Sequence, residues 1–198
     1  MTAQLPGDAT AGEWLRAATA RLTPLIGMEE ARRDARLLLR AATGWSAVRL
    51  STAGHEPLPA AALGIAEAML SRREAREPVA QILGQWSFRG RDFAVSRHVL
   101  TPRPDTEALV DVALEAPFST LLDLGTGSGI LAVTLLAERV QATGLATDIS
   151  EDALAVAAAN AARHGVGARL TAAQGDWWEA VPGDARFDLV VSNPPYVS

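Results

Sequence analysis

Near its end the sequence contains a run, Asn-Pro-Pro-Tyr at 193–196, that could hold a planar nitrogen group. The side-chain oxygen of Asn193 can accept one N–H, and the carbonyl of Pro194 can accept another. Pro195 stiffens the same backbone, and Tyr196 can pack against the flat face of the group held there. Two acceptors on an NH2 group leave its third direction free to point at an electrophile. Alone, such a run is more typical of a turn that ends a strand.

A glycine-rich run at residues 123–129, Asp-Leu-Gly-Thr-Gly-Ser-Gly, has the composition of a ligand-binding loop. Its glycines permit a tight turn and the close approach of a ligand to backbone amides. They stand at every second position, which differs from the G-x-G-x-x-G spacing of dinucleotide sites. The ligand therefore need not be a pyrophosphate, and a methionine carboxylate would fit near the start of the following helix.

Acidic and aromatic residues near this loop are further candidate contacts. Asp148 ends the second predicted strand, where a carboxylate can accept both hydroxyls of a ribose. Asp123 would either orient the loop or meet the ammonium group of the ligand. Asp176 could accept from an adenine amine and Trp177 could lie against the ring, but the pair Trp177 and Trp178 is equally typical of core packing. For the loop itself, the alternative is a plain strand, turn and helix with capping residues.

Alternating strands and helices must position these residues. Short apolar runs predict four strands, and apolar residues at helical spacing predict two helices. In chain order the elements are strand 120–124, helix 130–137, strand 142–147, helix 151–163, strand 169–172 and strand 187–191. This order implies a parallel sheet, covered on both faces and built from right-handed crossovers. Because ligands bind beyond the carboxyl ends of such strands, both motifs should face one crevice, which favours a nitrogen site over a simple turn.

The sequence before residue 80 has a helical pattern instead. Apolar residues recur at helical spacing in three stretches, and the second stretch ends at Gly44, a suitable C-cap. Six arginines are predicted on solvated outer faces, although basic faces could also dock an acidic or RNA-rich partner. They are Arg32, Arg33, Arg36, Arg72, Arg73 and Arg76.

A change of pattern separates these helices from the sheet. Aromatic and β-branched residues alternate with polar ones around Gly90, which predicts a β-hairpin. The two prolines of residues 101–107 stiffen the chain, and Asp105 and Glu107 suit the positive N-terminus of a following helix. We therefore expect a helical domain at 1–78, a linker with the hairpin at 79–100 and the sheet domain at 101–198.

Composition limits the remaining classes of function. Hydrophobic residues make up 48% and charged residues 21% of the 198 residues, as in a globular protein. The net charge of −5 gives no overall attraction to nucleic acid. The sequence contains no cysteine, which excludes disulfides, thiolate metal sites and cysteine nucleophiles within it. No signal peptide or membrane-spanning run is visible, so we expect a cytoplasmic location without membrane contact.

Three further runs make the pattern more specific. Residues 78–84 read Pro-Val-Ala-Gln-Ile-Leu-Gly, residues 88–90 read Phe-Arg-Gly, and residues 102–107 read Pro-Arg-Pro-Asp-Thr-Glu. Together with the glycine loop and the Asn-Pro-Pro-Tyr run, they resemble the bacterial release-factor glutamine methyltransferases, the HemK/PrmC family. The match extends from about residue 78 to the last residue.

The resemblance implies an α/β fold of the class I S-adenosylmethionine-dependent methyltransferases, with a Rossmann-like parallel sheet after a small helical domain and a hairpin. It implies methyl transfer from S-adenosyl-L-methionine to N5 of the glutamine in the Gly-Gly-Gln motif of peptide chain release factors. The helical domain would help to dock that protein substrate. Displacement at a sulfonium needs no metal or strong base, and His98 is the only histidine near a motif, with a surface or packing role favoured.

The same resemblance implies the site residues. Cofactor contacts are implied for Gly125, Thr126, Gly127, Ser128, Gly129, Asp148, Trp177 and Asn193. Substrate contacts are implied for Asn193, Pro194, Pro195 and Tyr196, and the catalytic candidates among them are Asn193, Pro194 and Tyr196.

Three alternatives stay open. An N6-adenine methyltransferase could hold an extruded base in the same way, although the net charge argues against a nucleic-acid substrate. A ribosomal-protein glutamine methyltransferase would share residues 193–196 but usually lacks the Pro-Asp-Thr-Glu of 104–107. The family's catalytic domain continues further, so we expect a sheet truncated after the fourth strand. An inactive chain that binds only cofactor or a partner is therefore the third alternative.

Overall fold

The computed structural model describes residues 7–100 and 105–194, apart from the side chain of Asp105. The chain forms two compact units, Met1–Leu83 and Gly84–Ser198, and the break lies close to the predicted change of pattern. The domain boundaries expected after residues 78 and 100 remain predictions, because they concern which segments fold on their own. Within the described ranges, no helix has the length and apolar character needed to cross a membrane.

Helices alone build the described part of the first unit. They are α1 (Ala11–Ile26), α2 (Met28–Thr43), α3 (Ala47–Thr52), α4 (Ala60–Glu74) and α5 (Val79–Leu83). Thr10 begins α1 because its hydroxyl accepts from the backbone N–H of Glu13, whose carboxylate accepts from the N–H of Thr10 in return. The predicted C-cap of α2 is confirmed, since Gly44 adopts a left-handed φ of 70° and its N–H donates to the carbonyl of Arg40.

A buried ion pair joins α2 to α4 inside the first unit. Asp34 is fully buried, and its Oδ2 accepts from Nε of Arg73 at 2.8 Å. Glu30 Oε1 lies 3.4 Å from the same guanidinium. The prediction that Arg73 is solvated is therefore wrong, because the helical pattern of α4 alone does not reveal a carboxylate on α2 that draws this arginine inward.

The second unit opens with the predicted hairpin, β1 (Gln85–Phe88) paired antiparallel with β2 (Arg91–Ala94). The two turn residues, Arg89 and Gly90, have φ angles of 47° and 74°, as a type I′ turn requires. Phe88 and Phe93 meet edge to face with ring centroids 6.3 Å apart, and both are buried in the core of this unit. The hairpin is thus a packed part of the second unit.

A parallel sheet of four strands forms the centre of the second unit, in the order β5-β4-β3-β6. The strands are β3 (Thr120–Leu124), β4 (Thr143–Asp148), β5 (Leu170–Gln174) and β6 (Leu189–Ser192), and the helices are α6 (Asp105–Glu115), α7 (Ile130–Glu138) and α8 (Glu151–Arg163). Strand order reverses at β3, which has β4 on one side and β6 on the other. Open sheets of this kind bind ligands beyond the strand ends at such a reversal.

Coverage of the sheet differs from strand to strand. Leu121 to Leu124 of β3 are all buried, as expected for a strand with both faces covered. Thr171 and Ala172 of β5 are exposed, so the predicted coverage of both faces does not extend to this strand in the described structure. Helix α7 is apolar and buried along most of its length, because it packs against β3, β4, α6 and α8.

Arg73 and Arg33 both contact the buried Asp34, but we expect their loss to lower the free energy of unfolding by very different amounts. Replacing Arg73 with Met should destabilise the protein by about 3–5 kcal/mol, because the Asp34 carboxylate stays buried without its main partner. The matched control is Arg33→Met, since Arg33 also contacts Asp34 but is more than half exposed. The control should cost less than about 1 kcal/mol in urea denaturation. Equal losses in the two variants would contradict this account of the pair.

Candidate functional site

Strand register brings the ends of three strands to one edge of the sheet. Leu124 of β3 pairs with Thr147 of β4 on one side and with Ser192 of β6 on the other. Ser192 also donates its hydroxyl to the carbonyl of Leu124 at 2.8 Å, which fixes the end of β6 to the start of the glycine loop. The ends of the three strands therefore lie at one level, with Asp148 at the end of β4 and Asn193 directly after β6, and the predicted shared crevice stays a prediction.

The glycine loop takes a conformation that favours glycine at three positions. Gly125, Gly127 and Gly129 have φ angles of 68°, 54° and 76°. A Cβ at Gly129 would lie 3.0 Å from the Cβ of Ala157, so this glycine lets the loop pack on α8. A Cβ at Gly125 or Gly127 would meet no atom of the described structure within 4 Å. The loop thus has open space beside its first two glycines, where a ligand can approach the backbone.

Polar groups of the loop and the neighbouring strand hold it in place. The backbone N–H of Thr126 donates to the carbonyl of Thr147 at 2.8 Å. Asp148 accepts from the N–H of Gly127 at 2.9 Å through Oδ2 and from the N–H of Ser150 at 3.0 Å through Oδ1. Each carboxylate oxygen keeps further acceptor capacity. The predicted ribose contact of Asp148 is compatible with this geometry and stays a prediction.

Asp123 is a buried carboxyl with one unsatisfied oxygen. Its Oδ2 accepts from the hydroxyl of Thr126 at 2.7 Å and from the N–H of Ala132 at 3.3 Å, which supports the predicted loop-orienting role. Its Oδ1 is buried without a hydrogen-bond partner among the described residues. Burial raises the pKa of Asp123 to about 6, and the neighbouring Asp148 acts in the same direction. An unpaired buried acceptor of this kind fits a donor or a cation on a ligand.

Asn193 is half-buried and follows β6 at the same edge. Its Nδ2 donates to Oγ1 of Thr106 in the first turn of α6 at 3.0 Å. Pro194 is also half-buried. The predicted roles of Pro195 and Tyr196 lie outside the described residues. Of the run at 193–196, the structure therefore describes the two residues that were predicted to provide acceptors, and their acceptor roles stay predictions.

The tryptophans after β5 are not packed in a core. Trp177 and Trp178 are 51% and 58% exposed, and Trp177 has a positive φ of 47°. Ile149 at the end of β4 is also exposed, and its carbonyl accepts from the side chain of Gln174. The core-packing alternative is therefore wrong for both tryptophans. The predicted contact of Trp177 and Asp176 with a ligand stays a prediction.

The histidines have partners other than the motif residues. His98 Nδ1 lies 3.0 Å from a carboxylate oxygen of Asp152, and His164 packs at 4.7 Å between ring centroids on Phe93. These contacts agree with the surface and packing roles that the sequence favoured. No group of three or more histidine, aspartate or glutamate side chains in the described ranges is arranged to hold a metal ion.

Asn160 is a site-supporting residue that the sequence analysis missed. It is fully buried on α8, where its Oδ1 accepts from the N–H of Ala94 at 2.7 Å. Its Nδ2 donates to the carbonyl of Ala94 at 3.0 Å and to the carbonyl of Ser128 at 2.8 Å. Because the N–H can only donate and the carbonyls can only accept, the orientation of this amide is fixed. Its signal was an asparagine on the inward face of an alanine-rich helix.

Asn160 connects the hairpin to the glycine loop by hydrogen bonds, and we expect its replacement to lower the stability of the protein. Asn160→Leu should destabilise the protein by about 2–4 kcal/mol, because it removes the hydrogen-bond partners of the buried Ser128 carbonyl and of the part-buried backbone of Ala94. The control is Ala159→Gln, which changes an exposed position on the same helix and should cost less than about 0.5 kcal/mol. Thermal and urea unfolding of both variants provide the measurement. A stability of Asn160→Leu equal to that of the control would refute the assigned contacts.

Because the pKa of Asp123 is raised, we expect the contribution of this residue to the free energy of unfolding to fall as pH rises. The folded protein holds the Asp123 proton up to about pH 6, whereas an unfolded aspartate releases it near a pKa of about 3.9. Between these values the folded state binds more protons, so the contribution of Asp123 to stability decreases with pH and is constant above about pH 6. Asp123→Asn, which cannot ionise, should therefore gain on the order of 2 kcal/mol relative to the wild type across this range.

Asp188 is a suitable control for this pH series. Hydrogen bonds from the backbone N–H groups of Ser119 and Thr120 hold the pKa of Asp188 below its ordinary value, so this carboxylate is ionised throughout the range. Asp188→Asn should therefore change stability by an amount that does not vary with pH. Urea denaturation at several values from about pH 4.5 to about pH 7.5 makes the comparison. A pH-independent difference for Asp123→Asn would contradict the buried, raised-pKa carboxyl.

Two family descriptions match the chain in succession. The PrmC N-terminal domain matches residues 13–84, and the methyltransferase small domain matches residues 104–198. Solved structures with partial similarity include a ribosomal protein L11 methylase from Lactobacillus delbrueckii, 34% identical over 45% of this chain and 44% of that chain with a TM-score of 0.38. An RNA methyltransferase from Salinibacter ruber is 30% identical over 41% and 53%, with a TM-score of 0.37. These structural overlaps are too partial to support any assignment.

Curated relatives match nearly the whole chain. A release factor glutamine methyltransferase from Cereibacter sphaeroides is 53% identical over 188 residues, covering 95% of this chain and 66% of the relative. Proteins of the same name from Agrobacterium fabrum and Burkholderia pseudomallei are each 42% identical, covering 96% and 100% of this chain and 68% and 69% of their own length. The chain thus spans about two thirds of the length of these relatives. The protein belongs to the family of release factor glutamine methyltransferases.

Proposed function

We propose that this protein transfers a methyl group from S-adenosyl-L-methionine to the side-chain amide nitrogen N5 of the glutamine in the Gly-Gly-Gln motif of peptide chain release factors. One observation carries the proposal. Asn193 directly follows β6, and the hydroxyl of Ser192, the last residue of β6, donates a hydrogen bond to the carbonyl of Leu124 in the glycine-rich run. An acceptor for an amide N–H thereby stands next to a loop with space for a cofactor. The substrate in the proposal comes from the relatives, which are named for it.

The residues at the strand ends fit the proposed cofactor. Open space beside Gly125 and Gly127 leaves room for the methionine part against the loop backbone. The unpaired Oδ1 of Asp123 suits its ammonium group, and the free acceptor capacity of Asp148 suits the ribose hydroxyls. Trp177 is exposed at the end of β5 and can cover the adenine ring. The remaining proposed contacts are made by Thr126, Ser128, Gly129 and Asn193.

Bound S-adenosylmethionine supplies an electrophilic methyl group on a good leaving group. The protein must then orient a weak nucleophile, because the lone pair of an amide nitrogen is delocalised. Asn193 Oδ1 and the carbonyl of Pro194 accept the two N–H bonds of the glutamine and favour positive charge on its nitrogen as the new C–N bond forms. The C–S bond breaks in the same displacement, and the extra proton leaves to water. Pro195 and Tyr196 complete the proposed substrate contacts.

Release factors are the proposed partners, with no direct contact to nucleic acid or membrane. A cytoplasmic location follows from that proposal, because release factors act there in translation termination. The acidic net charge of −5 supports a protein substrate over a nucleic acid, whose phosphates require a basic surface. An N6-adenine substrate has no specific observation in its favour.

A labelling experiment tests the proposed reaction. The protein is incubated with methyl-labelled S-adenosylmethionine, a release factor and duplex DNA in one mixture, and a release factor with Gln replaced by Ala in Gly-Gly-Gln serves as the substrate control. We expect label on the intact release factor alone. Label on DNA but not on the release factor would contradict the substrate. Absence of all transfer, with S-adenosylhomocysteine still bound in calorimetry, would instead support an inactive cofactor-binding chain.

Asn193 is the variant that tests the proposed chemistry. Asn193→Ala should lower turnover by about 100-fold or more, because one acceptor for the reacting nitrogen is lost. Cofactor affinity should weaken only modestly, by less than about tenfold. Val190→Ala is the control, because Val190 is an exposed residue of β6, the strand that leads into Asn193. Turnover of Asn193→Ala at the wild-type level would exclude the acceptor role.

A further inference from the structure

We propose that Thr106 is a positioning residue that holds the side-chain amide of Asn193 in place for the reaction. The proposal rests on the proposed function, in which Asn193 Oδ1 accepts from the substrate nitrogen. Its basis is the 3.0 Å hydrogen bond from Asn193 Nδ2 to Thr106 Oγ1, across 87 residues of sequence. Thr106 is 1% exposed, so water does not compete for its hydroxyl.

The side-chain amide of Asn193 has two unlike ends, and only one of them suits the proposed reaction. Rotation by half a turn would present the NH2 group of Asn193 to the substrate NH2, and two donors cannot bond to each other. A hydroxyl can accept, so the Thr106 Oγ1 can take an N–H from Nδ2 and leave Oδ1 for the substrate. A hydroxyl can also donate, so Thr106 alone does not choose between the two ends of the amide. It fixes where the Asn193 side chain lies, and the structure shows that side chain in the orientation that the proposed reaction requires.

Two neighbouring hydrogen bonds hold different parts of Asn193, one its backbone and the other its side chain. The hydroxyl of Ser192 donates to the carbonyl of Leu124, so it fixes the backbone that leads into Asn193. Thr106 holds the side chain itself. Helix α6 keeps Thr106 in place, because Val110 and Ala113 on the same helix are buried in the core of the second unit. The threonine of residues 104–107 thus gains a role in positioning, beyond the start of a helix.

Three variants separate positioning from simple packing. Thr106→Val keeps the shape and removes the hydroxyl, whereas Thr106→Ser keeps the hydroxyl. Thr134→Val is the matched control, because the Thr134 hydroxyl is fully buried on α7 and has no hydrogen-bond partner among the described residues. We expect Thr106→Val to lower kcat on a release factor by about 10- to 100-fold, with KM for S-adenosylmethionine changed by less than about threefold. Thr106→Ser should recover most of the lost kcat, and Thr134→Val should keep it.

A second readout does not depend on activity. The side-chain NH2 group of Asn193 gives a pair of NMR signals that report its hydrogen bond. These signals should move in Thr106→Val and stay close to the wild type in Thr106→Ser and Thr134→Val. If the wild type methylates no release factor, the proposed function fails, while this NMR comparison still decides whether Thr106 holds Asn193.

Several outcomes would overturn the positioning role. Unchanged Asn193 NH2 signals in Thr106→Val would remove its structural basis. Wild-type kcat in that variant would remove its catalytic consequence. Equal losses of kcat and melting temperature in Thr106→Val and Thr134→Val would identify a packing effect only. If Thr106→Val does not fold, Thr106→Ala is measured against Thr106→Ser in its place, with the same expected loss and recovery.

Discussion

The parallel pairing of β3 with both β4 and β6 is the constraint on which the site depends. Because Leu124 is aligned with Thr147 on one neighbour and with Ser192 on the other, three strands end at the same level. The glycine loop, Asp148 and Asn193 each follow one of these ends. A shift of one residue in either pairing would turn the side chains of that strand to the opposite face and separate the groups. The arrangement of the candidate site therefore depends directly on the register of the sheet.

Several groups near these strand ends lower the stability of the folded state when considered alone. Asp123 is a buried carboxyl with a raised pKa and an oxygen that has no partner among the described residues. The adjacent loop has three glycines at positive φ. Neighbouring residues compensate with buried or part-buried hydrogen bonds. Asn160 connects the loop to the hairpin, and Thr106 connects α6 to Asn193. The site is thus held by long-range contacts on elements that are anchored in the core.

Local sequence patterns predicted the elements better than their contacts. Strand 120–124 and helix 151–163 have the predicted bounds, because apolar periodicity reports burial along a single element. Arg73 was misplaced because its partner lies 39 residues away on another helix. The roles of Asn160 and Thr106 depend on partners 66 and 87 residues away, which no local pattern contains. A polar residue on an otherwise buried helical face was the signal available in advance for Asn160.

We propose that the ends of β3, β4 and β6 together form one cofactor site. Amide NMR spectra of the isotope-labelled chain, titrated with S-adenosylhomocysteine, test it most directly. We expect the backbone signals of residues 125–129, Asp148 and Asn193 to shift together and to saturate with a single affinity. Shifts confined to the helices of the first unit, or shifts at only one of the three strand ends, would contradict it.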